Sequence, residues 1–314
     1  MAQMDAASNV ILRRRHKFDR AKFIFLATIF ALPAINFIVF WLYLNISAID
    51  FAFKIELLDG TTVYSLDNFR AMFEAMRSPH SLFWISLKNT LLYWVTSVVS
   101  YMIALIVGYF LFKKLPGYKA YRFFFYMPTL IAPTILAALF KMLVAGTGPL
   151  VKIFGMGNVP AFLTDERYAI WTCLFYSFFF GFGANLIVIS GAMTQVDASL
   201  LDAGKIDGVN MPQEMFRIVL PVIWPTVIAT IIGTVSGIFM TSGPILLLTD
   251  GNAKTSTVQF WIFRQAYPPE GGTANYYFSA ALGLFFALLA IPLTFLSRFL
   301  MRVAVPSNDS LEEK

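Results

Sequence analysis

Neutral hydrogen-bonding side chains recur at helical spacing inside two long apolar runs. Ser177, Gly181 and Asn185 fall four residues apart, and Thr226, Thr230, Thr234, Gly237 and Thr241 recur every three or four. Each set therefore shares one face of a helix. Hydroxyls and amides in such a row can bond the hydroxyls of a sugar, while Tyr and Phe offer flat faces to a pyranose ring. The competing reading is packing, because small and hydroxyl residues also hold membrane helices together. Gly233-Thr-Val-Ser-Gly237 is itself a GxxxG. Groups for making or breaking bonds are missing. There is no phosphate-cradling Gly-x4-Gly-Lys-Ser/Thr loop, so ATP chemistry is not expected on this chain. His16 and His80 are far apart, and no His-Glu-x-x-His zinc motif is present. The single cysteine, Cys173, excludes an intrachain disulfide and lies in an apolar stretch, where a core role is expected.

Between the two runs lies a polar segment, residues 195–217. Ser199 is expected to cap a first short helix, with Asp202 in its opening turn, where the helix dipole favours an anion. Gly208 would close that helix in a left-handed conformation. Asn210 would cap a second helix, with Pro212 in its first turn and Gln213 reaching back as in a capping box. A capped helix–Gly–helix is more structure than a simple connector needs. It reads as a surface built for docking, against the alternative of a connector with no partner.

The elements that position these residues are membrane spans. The chain is 58% hydrophobic and only 13% charged, against roughly 25% charged residues in soluble domains. Six apolar stretches are long enough to cross a bilayer: 23–46, 83–112, 121–144, 168–194, 218–241 and 277–300. No outer-membrane-barrel alternation competes with them. The predicted class is all-α and polytopic. A transmembrane domain fills 23–300, between a basic N-terminal segment at 1–22 and a short tail at 301–314; an external segment at 47–82 has room for a helix near 67–77. Six of the 24 basic residues (Arg13, Arg14, Arg15, Lys17, Arg20 and Lys22) precede the first span and hold the N-terminus in the cytoplasm. With six spans, the C-terminus and the 195–217 segment face the same side. The net charge of +6 reads as this positive-inside bias and contact with lipid headgroups. A nucleic-acid surface would need basic residues on a soluble face with interleaved aromatics.

The polar segment resembles the EAA loop of importer permeases in the ATP-binding-cassette (ABC) superfamily. That pattern reads Glu-Ala-Ala, three residues, Gly, nine residues, then Ile-x-Leu-Pro. Here Asp202-Ala203-Gly204 stands for Glu-Ala-Ala, Gly208 for the Gly, and Ile218, Leu220 and Pro221 take the matching places. Asp for Glu shortens the acid by one methylene, and Gly204 replaces the second Ala. Further similarities run in order along the chain: Ser65-Leu-Asp-Asn-Phe69, Leu87-Lys-Asn-Thr-Leu91, Tyr121-Arg-Phe-Phe-Phe-Tyr-Met-Pro128, Gly148-Pro149-Leu150, Phe162-Leu163-Thr164-Asp165 and Phe278-Ser-Ala-Ala-Leu282. These resemble the carbohydrate branch of that family, the maltose and glycerol-3-phosphate type. The Gly-Gly-Pro that usually follows Leu-Thr is replaced by Asp250-Gly-Asn-Ala253 after Leu248-Thr249.

The resemblance implies a type I ABC importer permease with six transmembrane helices in a bacterial cytoplasmic membrane. It assigns Asp202, Ala203, Gly204, Asp207, Gly208, Phe216 and Pro221 to coupling with a separate ATPase. It implies two ATPase subunits carrying ATP and Mg, a second homologous permease, an extracytoplasmic solute-binding protein and a carbohydrate substrate, with no cofactor on this chain. An ion-coupled secondary transporter or channel for a small neutral solute is the alternative. It would call for intramembrane charges or inverted repeats, and the fourth and fifth predicted spans contain no charges.

Overall fold

A computed structural model describes residues 20–57, 59–79, 81–145, 148–149 and 161–304. The basic cluster at 13–17, His80, Leu150 and the tail beyond 304 lie outside the described residues. Helix α1, Ile24–Ala52, is apolar along its length and carries a π-helical stretch at Phe37–Tyr43. It leads into an antiparallel hairpin, β1 (Lys54–Glu56) with β2 (Thr62–Tyr64), in which Ile55 faces Val63. Helix α2, Asp67–Arg77, then lies close to the expected 67–77. Its buried Asn68 donates to Ala52 O and Lys54 O, so one amide ties the helix to the hairpin.

Helix α3, Leu82–Phe112, is the longest rod in the bundle and packs most extensively against α6, Ala169–Met193. Gly108 makes that approach close: a Cβ there would lie 2.8 Å from Ile189 Cγ2. Tyr101, Leu105, Tyr109, Phe182, Leu186 and Ile189 form one buried layer with Val219 and Ile223. A second layer gathers Tyr93, Leu136, Phe140, Cys173, Tyr176 and Leu248, which confirms Cys173 as a core side chain.

The expected continuous span at 121–144 is corrected. It consists of two helices, α4 (Tyr118–Leu130) and α5 (Pro133–Val144), bent by 104° at the break. Pro133 opens α5 and holds Ala132 in an extended conformation, φ −56° and ψ 132°, because a residue before proline is driven out of the α region. Tyr176 Oη donates to Pro133 O at 3.3 Å and so supplies a partner at the break. Among the described residues, five helices are long and apolar enough to cross a membrane, and six if the bent pair counts as one span.

After α6 come two short helices, α7 (Ala198–Ile206) and α8 (Met211–Glu214). A π-helical stretch, Met215–Val219, leads into α9, Leu220–Ser236. Helices α10 (Ile245–Leu248) and α11 (Val258–Ala266) precede the last span, α12, Tyr276–Ala304.

Candidate functional site

The first candidate site is the segment from α7 to the base of α9. Its first cap differs from expectation: Asp197, not Ser199, is the N-cap, and its carboxylate accepts the Ser199 amide at 2.9 Å. Capping needs an extended residue, and Asp197 has it at φ −67° and ψ 136°. Asp202 consequently lies past the opening turn of α7. It is exposed and pairs with Lys205 at 2.7 Å, an interaction that raises the Lys205 pKa. The other expectations hold. Gly208 sits at φ +73°, a conformation that favours glycine. Asn210 and Gln213 complete a reciprocal capping box at 3.0 and 3.1 Å.

Gly204 is buried, and a Cβ added to it would lie 2.5 Å from Ile218 Cδ1. Glycine at this position thus lets α7 lie close against the π-helical stretch beneath α9. Asp202, Ala203, Asp207 and Gly208 are exposed, as is Pro221. Phe216 is 61% exposed, and in the same segment Ile206 and Met211 are 88% and 46% exposed. The sequence reading missed Ile206 and Met211. Their signal was an apolar residue on each side of the Gly208 turn.

The second candidate site is a polar cavity of about 220 Å³ between α3 and α6, about seven times the share of volume of one water. Ser97 and Ser100 line it from α3, Ser177, Gly181 and Asn185 from α6, and Thr241 from beyond α9. Asn185 Nδ2 approaches Ser100 Oγ at 3.5 Å. Tyr93 also lines the cavity; its Oη is buried with no hydrogen-bond partner among the described residues. Among the described residues, no charged side chain lines this cavity.

The predicted threonine face on α9 is corrected in part. The helix ends at Ser236, a 3-10 turn covers Ile238–Met240, and Thr241 is extended at φ −83° and ψ 111°. Thr241 thus reaches the cavity by leaving the helix. Thr230 and Thr234 donate to Thr226 O and Ile231 O within their own helix and do not line this cavity.

Behind Thr241, the loop whose sequence departs from the family pattern is built as a polar knot. Asp250, Ala253 and Lys254 all take positive φ, together with Gly251. Buried Asn89 on α3 donates to Lys254 O at 2.7 Å and to Ser256 O at 2.8 Å, while Thr90 Oγ1 accepts the Val258 amide at 3.0 Å. An amide inside a long, mostly apolar span was the available sign that Asn89 has a partner, since unpaired polar groups are costly there. Among the described residues no cluster of His, Cys, Asp or Glu could hold a metal ion.

A bundle of long apolar helices with one bent pair and a capped helix–Gly–helix segment is the architecture of a multi-pass membrane protein. The pattern of the family described as the binding-protein-dependent transport system inner membrane component matches residues 100–309, and the chain belongs to that family. The probable ABC transporter permease YesP of Bacillus subtilis is 25% identical over 64% of this chain and 67% of its own length. The arabinooligosaccharide transport permease AraP of Halalkalibacterium halodurans is 24% identical over 62% of this chain and 61% of its own. A crystal structure of a bacterial alginate ABC transporter, in complex with an alginate pentasaccharide-bound periplasmic protein, matches with a TM-score of 0.76. That match covers 93% of this chain and 99% of the other at 21% identity, and shows the type I importer permease fold. The chain is a multi-pass membrane protein of a binding-protein-dependent importer.

Proposed function

We propose that this permease passes a neutral carbohydrate, delivered by an extracytoplasmic binding protein, through the cavity between α3 and α6. The observation that carries the reading is the lining itself: Ser97, Ser100, Ser177, Asn185 and Thr241 offer neutral donors and acceptors with no charge. A uronate or phosphate would enter this cavity without a cation to pair with, at a heavy desolvation cost. Arabinooligosaccharides, which AraP transports, are of the fitting kind.

ATP and Mg belong on a separate ATPase pair, docked at the segment carrying Asp202, Ala203, Gly204, Asp207, Gly208, Phe216 and Pro221. Exposed Ile206, Met211 and Phe216 give that segment an apolar surface for a cleft. A second permease fits the exposure of α1, whose apolar window has no buried residue. Both termini and the docking segment face the cytoplasm in this reading, in a bacterial cytoplasmic membrane.

The test is uptake in a deletion strain across neutral and acidic oligosaccharides, with ATPase co-purification measured in parallel. Neutral saccharides should be taken up, and Asp202→Lys with Gly208→Pro should release the ATPase and stop uptake while leaving insertion intact. Uptake of acidic sugars alone would refute the substrate class. Normal uptake by the double variant would reduce the segment to a connector.

A further inference from the structure

Glu214, the last residue of α8, is a carboxylate withdrawn from water, its side chain only 6% exposed. Lys113, directly after α3, meets both of its oxygens, with Nζ at 2.8 Å from Oε1 and 3.0 Å from Oε2. Tyr109, buried one turn earlier on α3, donates its hydroxyl to Oε1 at 3.2 Å. Three polar groups therefore converge where α3 meets the docking segment. Burying such a pair is poor value for stability alone, since well-packed apolar residues of the same size often do as well or better. What a buried, bidentate pair fixes is position.

The position it fixes is mechanical. Glu214 stands immediately before the π-helical stretch Met215–Val219, so one end of the pair moves with α7 and α8. The other end belongs to α3, the same rod that carries Ser97 and Ser100 into the polar cavity. From Lys113 back to Ser100 is about 20 Å of continuous helix. By contrast, the direct route from the docking segment into α9 passes through a π-helical stretch, a local departure often found at functional positions.

We propose that Lys113, Glu214 and Tyr109 form a clamp that passes displacement of the docking segment to α3, and thereby to the cavity between α3 and α6. They are positioning residues and touch neither nucleotide nor solute. The clamp rests on the reading that the ATPase docks on 202–221. It names α3 as the driven span, beside α9, into which the docking segment continues directly.

The test uses the complete transporter with its ATPase, second permease and binding protein. Ser97→Cys places a reporter in the cavity, and its rate of reaction with a membrane-impermeant maleimide is read before and after trapping with MgATP and vanadate; Cys173 is buried. With the native clamp the rate should change by about tenfold on trapping. Lys113→Met and Glu214→Gln should each cut that change to about twofold or less while the ATPase stays bound and hydrolyses ATP. The exchange Lys113→Glu with Glu214→Lys should restore most of it, a rescue that a general packing defect would not give. Tyr109→Phe, which keeps the ring and removes one hydrogen bond, should give an intermediate change. A full response in Lys113→Met and Glu214→Gln with the ATPase bound would overturn the clamp and leave the docking reading standing. So would failure of the exchanged pair to restore the response in a folded, ATPase-bound complex. Absence of the ATPase from the unsubstituted complex would overturn both.

Discussion

Replacing Gly204 by Ala restores the residue that the resembled pattern has at this position, yet the packing here opposes it. The new Cβ would lie 2.5 Å from Ile218 Cδ1, roughly 1 Å inside ordinary contact. Two terms compete. Alanine gains about 0.8–1 kcal/mol over glycine inside a helix, while overpacking typically costs about 1–3 kcal/mol. The clashing atom is the end of a flexible, half-buried side chain, so the cost should sit near the low end and roughly cancel the helix gain, leaving Gly204→Ala within about 0.5 kcal/mol of the parent. Ile218→Val removes Cδ1, the very atom that clashes, at a cost of about 0.5–1.5 kcal/mol by itself. With both changes the clash is gone and the helix gain remains, so the pair should be more stable than the sum of the singles by about 1–2 kcal/mol. Thermal unfolding of the four purified proteins, followed by tryptophan fluorescence in one detergent, measures this cycle. Additive single effects, or a Gly204→Ala protein more stable than the parent by the full helix gain of about 0.8–1 kcal/mol, would refute the account of why glycine stands there.

Two further predictions concern the bundle and the cap. A Cβ at Gly183 would lie 2.3 Å from the Phe125 carbonyl oxygen and 2.7 Å from Thr129 Cγ2, whereas one at Gly181 meets nothing within 4 Å. Gly183→Ala should therefore force α4 and α6 apart and lower stability by about 3 kcal/mol, while Gly181→Ala, free of any clash, gains the helix term of about 0.8–1 kcal/mol but weakens saccharide uptake by intruding on the cavity; equal melting temperatures would contradict this. The Ser199 backbone amide holds the Asp197 carboxyl below its ordinary pKa. Its capping contribution is thus complete above the ordinary carboxylate range and is lost as pH falls through the lowered value. Melting curves against pH should show that loss in the native protein and not in Asp197→Asn, which keeps a capping oxygen without the titration.

Periodicity and composition located the spans, the Gly208 turn and the Asn210–Gln213 box, because apolar length and cap chemistry are local properties. The family resemblance likewise needed only spacing, from Asp202 to Pro221. Choosing Asp197 over Ser199 as the cap took the backbone, since either side chain qualifies by type. Apolarity alone made 121–144 one span; Pro133 is visible in the sequence, but whether it kinks or breaks a helix depends on what packs across the gap, here Tyr176. The cavity required tertiary structure more completely. Ser100 and Ser177 lie in different helices, and Thr241 joins them only because the chain leaves α9 after Ser236. Likewise, nothing in the sequence pairs Lys113 with Glu214, whose meeting depends on how α3 ends beside α8. Local order follows from neighbours along the chain, whereas the cavity and the clamp arise from contacts between segments distant in sequence.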